Sequence, residues 1–295
     1  MKKSRRMIFC FLVLAGCNWP NRIKYKRIAL DNSLLWEISG NGLTSPSYLY
    51  GTDHLVGGNF LDTIPYVMGR FKQCKVVATE ADLESEPHEY RSHIFLRHDS
   101  LSNLFTTDEF SEIDKVLTHY LPWPLLKFNR FKPVYVYDDL LYFISARTAS
   151  SANPHLDRYF RDEAHKMGYM VLGLETVKYH DSTLYDAPLE VQKKNLLYLV
   201  RHIDQYRRSR QKFFRLYHQQ NLNAMETQTN PKEVFTDARL DEVVRARNIN
   251  WLHELPAIMK QQPTFIAVGA LHLLWDCGLI NQLRLKGYVV TPVTN

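Results

Sequence analysis

No Gly-x-Ser-x-Gly elbow occurs in the chain, which argues against a serine hydrolase of that type, and no glycine-rich phosphate loop follows any apolar run. Cysteine is scarce: there are four, none in a Cys-x-x-Cys pair, so no zinc knuckle can be written. Outside the N-terminus no stretch stays apolar for 18 residues, so no second membrane element is expected. There is no Pro/Gly/Ser-rich linker and no low-complexity tract, and the order of strand and helix patterns favours one α/β domain over two smaller ones. Positive charge is scarcer than the net +6 suggests. Lys2, Lys3, Arg5 and Arg6 supply four of those charges within the first 16 residues, and removing that segment leaves +2. The remaining basic residues, such as Arg207-Arg208-Ser209-Arg210, form short runs suited to a solvated helix face, so nothing points to nucleic acid.

What is present begins with an export pattern. After the basic residues comes an apolar core from Met7 to Ala15, too short to span a bilayer of ~30 Å and typical of a secretory signal. It ends in Leu14-Ala15-Gly16-Cys17, which resembles the lipobox of bacterial lipoproteins. The resemblance implies a signal peptide over residues 1–16, lipidation of Cys17 and a tether over 17–32. The remaining 33–295 would form the folded domain, anchored to a membrane through the lipid and facing the periplasm or exterior. Cys10 leaves with the signal, and only Cys74 and Cys277 stay in the domain. An exported compartment permits a disulfide between them, and a pair of buried free thiols is the alternative.

Two short segments far apart in the chain look alike. Gly51-Thr52-Asp53-His54 follows the apolar run Ser47 to Tyr50, and Gly269-Ala270-Leu271-His272 follows Thr264 to Val268. Each reads as a strand that stops at a glycine and presents a histidine three residues later. Together they suggest a site assembled from the first and last strands of one sheet. Leu34 to Ser39 and Ser47 to Tyr50 read as an antiparallel hairpin across Gly40-Asn41-Gly42. Lys75 to Thr79 reads as a strand ending in Glu80, and Tyr169 to Leu174 as a strand ending in Glu175. Helical patterns cover Asp157 to Met167, with Gly168 as its C-terminal cap, then Pro188 to Gln220 as one or two helices, and Asp237 to Met259. A last strand is expected over Tyr288 to Pro292.

Four predicted strands thus finish in His54, Glu80, Glu175 and His272, and open α/β sheets place their sites at the carboxyl ends of strands. All four side chains suit a metal ion or acid–base work. Each taken alone has a plainer account, since a glutamate after a strand often caps the next helix and a lone histidine is usually surface or satisfied core. Other features carry less. His88-Glu89-Tyr90-Arg91-Ser92-His93 resembles the zincin motif with one residue too many, so its histidines do not share a helix face. The aromatic segment Phe128 to Phe143 suits either a substrate groove or core packing, and packing is the commoner use.

The run Leu35-Trp36-Glu37-Ile38-Ser39-Gly40 through Ser47-Tyr48-Leu49-Tyr50-Gly51-Thr52-Asp53-His54 resembles the opening of the TraB/PrgY/GumN family, which includes the animal Tiki proteins. Further matches occur in order. They are Ala78-Thr79-Glu80-Ala81-Asp82, Asp157 ahead of Arg158 to Lys166, Gly173-Leu174-Glu175-Thr176, Pro188-Leu189-Glu190-Val191-Gln192, Arg247-Asn248, and Gly269-Ala270-Leu271-His272 with Gly287-Tyr288-Val289-Val290 after it. The resemblance implies a single domain with a central mixed sheet flanked by helices, similar to erythromycin esterase and the haem-binding ChaN proteins. It also implies metal-dependent cleavage of peptides. His54 and His272 would then be metal ligands, and Glu80 a third ligand or the general base, with Glu175 in the other role. Arg247 would hold a carboxylate or oxyanion, and Gly51, Gly269, Asp157 and Asn248 would support the site. Asp53 departs from the family pattern and reads as an exposed substitution.

Two imidazoles and a carboxylate leave a metal one open position for water, and mixed nitrogen and oxygen donors suit zinc, manganese or cobalt. The leading expectation is therefore an exported, lipid-anchored, metal-dependent hydrolase acting on a peptide or protein substrate. The alternatives are a non-catalytic peptide- or ligand-binding protein of the cell envelope, and an esterase or haem binder by fold analogy.

Overall fold

A computed structural model describes residues 30–82, 94–228 and 241–294. The signal and lipobox segment and the His88–His93 pattern lie outside the described residues. Six strands form one sheet: β1 Leu35–Ser39, β2 Ser47–Thr52, β3 Val76–Ala81, β4 Met170–Glu175, β5 Thr264–Gly269 and β6 Val289–Pro292. Their spatial order is β4-β3-β5-β2-β1-β6. The pairs β4/β3, β3/β5 and β5/β2 are parallel, whereas β1 runs antiparallel to both β2 and β6. The sheet is therefore mixed, as expected, with its parallel part on the side that ends in the candidate residues.

Position in the sheet explains the strand sequences. β2 and β3 are buried at every residue and β5 at all but its last, because a strand covered on both faces needs a continuous apolar run. β4 lies at the edge and is largely open, with Met170 at 59% exposure. The β1–β2 turn uses left-handed backbone at Gly40, Asn41 and Gly42, which is why glycine and asparagine occupy it. β5 and β2 are not the first and last strands, as the two Gly-x-x-His segments suggested. They are the fifth and second, and they lie side by side at the centre, with Thr52 opposite Gly269.

Helices cover the sheet and extend beyond it. Among the described residues they are, in chain order, α1 Tyr66–Phe71, α2 Leu101–Leu104, α3 Thr107–Tyr120, α4 Pro133–Ile144, α5 Leu156–Lys166, α6 Val177–Tyr185, α7 Leu189–Arg201, α8 Ile203–His218, α9 Leu222–Gln228, α10 Arg247–Gln261 and α11 Leu279–Leu285. Pro188 to Gln220 is thus two helices, broken at His202. α10 follows a π-helical turn over Asp241–Ala246, and the start expected at Asp237 lies outside the described residues. Gly168 does cap α5: its φ is +68°, its N–H reaches His165 O at 3.1 Å, and the Tyr169 N–H reaches Ala164 O at 2.9 Å.

Apolar burial falls into two large clusters. One packs the sheet against α1, α5, α8, α10 and α11, around Trp36, Tyr48, Phe71, Phe160, Phe265 and Trp251. The other lies among α3, α4 and α7, around Leu117, Leu125, Val136, Leu140 and Leu196. Cys74 and Cys277 are both buried and free, so the disulfide that export would permit is not formed. Burial pushes their thiols up to about 12 and about 11.

Candidate functional site

The four strand-end residues do converge at one end of the sheet, but they divide into two sets. Glu80 and His272 join Glu175, Arg247, Asn248 and Trp251 in a buried network. His54 joins Asp157 and His155 in a cluster that opens to solvent.

The buried network is organised by Arg247, the first residue of α10, whose side chain is 3% exposed. Its Nε donates to both Glu175 oxygens at 3.0 and 3.1 Å, and its Nη2 donates to Glu175 Oε1 and, at 2.6 Å, to Glu80 Oε2. Its Nη1 donates to Val243 O in the π-helical turn and to His272 Nε2, both at 3.3 Å. The guanidinium also lies 4.9 Å over the Trp251 ring, and Trp251 Nε1 donates to Glu175 Oε2 at 3.0 Å. Both carboxylates are consequently satisfied, which the forked donor geometry of arginine allows and a lysine would not. Glu80 is not beyond the end of its strand, as expected, but the fifth residue within β3.

Burial alone would raise the Glu80 carboxyl, yet His272 and Arg247 beside it hold it down at about 2. His272 does not supply that charge at neutral pH. Burial and Arg247 lower its own value to about 3, against the opposing pull of Glu80. The guanidinium is therefore the cation that keeps Glu80 ionised at pH 7.

Because arginine can only donate, His272 Nε2 must accept from it and Nδ1 must carry the proton. Nδ1 then donates to Asn248 Oδ1 at 2.7 Å. The Asn248 amide donates in turn to His272 O at 3.0 Å and Cys277 O at 2.8 Å, so one side chain fixes both the tautomer and the loop. His272 Nε2 stands 3.7 Å from Glu80 Oε1, with the guanidinium against both groups. The cation among these residues is Arg247.

The glycines of the two loops permit the convergence. A Cβ at Gly51 would lie 3.1 Å from Ala270 and Leu273 of the other loop, and one at Gly269 would lie 3.1 Å from Glu80 Oε1. The Gly269 N–H donates to that oxygen at 2.7 Å. Asp53, expected to be exposed, is 8% exposed, and its carboxylate accepts the Leu55 N–H at 2.8 Å to close the turn after β2.

The open cluster forms where β2 meets the start of α5. Thr52 Oγ1 donates to Asp157 Oδ1, and His54 Nδ1 lies 2.8 Å from Asp157 Oδ2. His155, the N-cap residue of α5, places its Nδ1 3.4 Å from the same oxygen. The His54 and His155 rings are 5.6 Å apart and nearly perpendicular. The side chains are 65%, 39% and 16% exposed for His54, His155 and Asp157. Burial opposes the Asp157 charge, but His54, His155 and Thr52 hold its carboxyl well below the usual carboxylate range. The carboxylate in turn raises the His54 pKa, an effect that solvent tempers at so open a ring.

Among the described residues, His54, His155 and Asp157 are the group whose ligand atoms all fall within 4.8 Å of one another, as a shared metal ion requires. Two imidazole nitrogens and one carboxylate oxygen are a donor set that fits a divalent transition metal, and their exposure leaves room for water or substrate. His54 is common to this group and to the expected one. The expected partners His272 and Glu80 are not in it, and Asp157, expected only to support the site, is. His155 was missed by sequence reasoning. The available signal was its place two residues before Asp157 at the mouth of an amphipathic helix, where an N-cap would ordinarily be Ser, Thr, Asp or Asn.

A sequence model of the TraB/PrgY/gumN family matches residues 34–292 of the chain. No curated protein and no solved structure matches it.

Proposed function

We propose, from the premise that the chain belongs to the TraB/PrgY/gumN family, that it is a metal-dependent hydrolase of peptide or amide bonds working at His54, His155 and Asp157. The observation that carries the reading is the gathering of two imidazoles and a carboxylate, open to solvent, at the carboxyl end of β2. A divalent ion held there would supply Lewis-acid polarisation of a carbonyl and a lowered pKa for bound water. Thr52 fixes the Asp157 carboxylate, and Asp157 fixes the His54 ring.

Glu80 and Glu175 are positioning residues in this reading. A general base is most effective with a pKa near the operating pH, and His272 and Arg247 hold Glu80 down at about 2 with both its oxygens engaged. Their network instead ties β3, β4, the end of β5 and α10 together. Support for peptide bonds as the substrate comes from the resemblance to the Tiki proteins. The pattern from Lys2 to Cys17 supports export and a lipid anchor on Cys17 at the bacterial cell envelope, and the mass of the mature N-terminal peptide tests it.

The functional test is a peptide mixture incubated with chelator-treated full-length protein and then with zinc, manganese or cobalt, read by mass spectrometry. Cleavage restored by metal and lost in His155→Ala supports the proposal. Metal binding without cleavage of any peptide favours the binding-protein alternative, and cleavage indifferent to chelation contradicts the metal-dependent reading.

A further inference from the structure

A second candidate site lies on the helical lobe. α4 already buries one stripe, Val136, Leu140 and Ile144, in the second apolar cluster. A different stripe, Tyr135, Asp139 and Tyr142, follows i, i+4, i+7 spacing and faces a groove of about 610 Å³. Trp123, Phe128, Phe131 and Phe143 line the rest of it. Phe131 and Tyr135 stack with centroids 4.5 Å apart and planes 19° apart. Trp123 meets Phe128 at 6.5 Å and Phe143 at 6.1 Å, both edge to face, so the rings present walls of different orientation. Trp123 is 45% exposed, and Tyr142 is 40% exposed with the Arg147 guanidinium 4.5 Å over its ring and 5.5 Å over that of Phe143, so two rings of the rim already hold a cation.

Asp139 decides what such a groove suits. Among the described residues no donor hydrogen-bonds its carboxylate and no cation pairs with it, Lys127 on the same rim included. Burial among the rings raises its pKa. A metal ion would need several donors where there is one, and a sugar would need several polar partners. An ammonium group bearing alkyl substituents matches both features, because ring faces attract the cation and its methyl groups while the carboxylate neutralises it.

We infer that this groove binds a ligand carrying a quaternary or alkylated ammonium group, held over the Trp123, Phe131 and Tyr135 rings beside Asp139. Titration calorimetry of the full chain in detergent, with choline and with its neutral carbon isostere 3,3-dimethylbutan-1-ol, tests it. Choline binds at least about tenfold more tightly than the isostere. Asp139→Asn, which preserves side-chain shape, abolishes that preference without shifting the thermal midpoint, and Trp123→Ala weakens choline binding. The inference is overturned if the isostere matches choline, if neither binds at millimolar concentration, or if choline binds Asp139→Asn as well as it binds the wild type.

Discussion

Replacing Arg247 with methionine removes the cation shared by two buried carboxylates while retaining much of the side chain's volume. Glu175 is 4% exposed and Glu80 11%, so water cannot take over the lost bonds. Breaking a buried ion pair from one side costs roughly 3–5 kcal/mol, and here one deletion strands two anions and the His272 Nε2 acceptor, which places the loss at about 5 kcal/mol at pH 7. Acid should relieve it. In the wild type, the Glu80 value of about 2 lies below the ordinary 4.5, so its contribution is complete above about 4.5 and is lost as pH falls through about 2. In the variant, burial without the guanidinium raises the Glu80 carboxyl, so it neutralises on mild acidification and the gap between the two proteins narrows below pH 5. Urea unfolding followed by circular dichroism between pH 4 and 8 measures the gap. Arg247→Lys should fall between the two, because an ammonium restores charge but not the fork. A loss under about 1 kcal/mol at pH 7, or a gap independent of pH, refutes the reasoning.

Three other predictions concern neighbouring groups. Asn248→Ala leaves the His272 Nδ1–H and two buried carbonyls without their partner, and urea unfolding should show a loss of roughly 2–3 kcal/mol. His272 is depressed to about 3, so between that value and an unfolded value near 6.5 only the unfolded chain binds its proton and stability falls as pH drops. His272→Asn should flatten the acid limb of the unfolding profile by up to about 1.4 kcal/mol per pH unit over that window, and an unchanged slope contradicts the assignment. Brief alkylation at pH 8 with mass mapping should leave Cys74 and Cys277 unmodified in the native protein and modify both in urea, and native modification of either would contradict its burial.

The strands and their carboxyl-end residues were legible because central parallel strands read as continuous apolar runs and glycines punctuate their ends. That logic located Glu80, Glu175, His54 and His272 at one end of a mixed sheet. It did not reveal that β2 and β5 are neighbours, since parallel pairing between segments more than 200 residues apart leaves no local signature. Nor did it reveal how the cluster divides. Residue type makes Glu80 and His272 natural ligands, and only the placement of Arg247 between them shows that their acceptors are already engaged. His155 was hidden because it comes from a cap, where no periodicity marks a residue's direction. The segment Phe128 to Phe143 was ambiguous because both expected uses are realised: Phe128 and Leu140 pack the lobe, and Tyr142 faces the groove.

Metal content tests the central claim most directly. Full-length protein, purified with zinc, manganese and cobalt present and then dialysed, should retain about one equivalent of metal by elemental analysis. His54→Ala and His155→Ala should each lose it, whereas His272→Ala, folded by circular dichroism, should keep it. If His155→Ala retains the metal and His272→Ala loses it, the ion belongs to the paired Gly-x-x-His loops and the site proposed at His54, His155 and Asp157 is wrong.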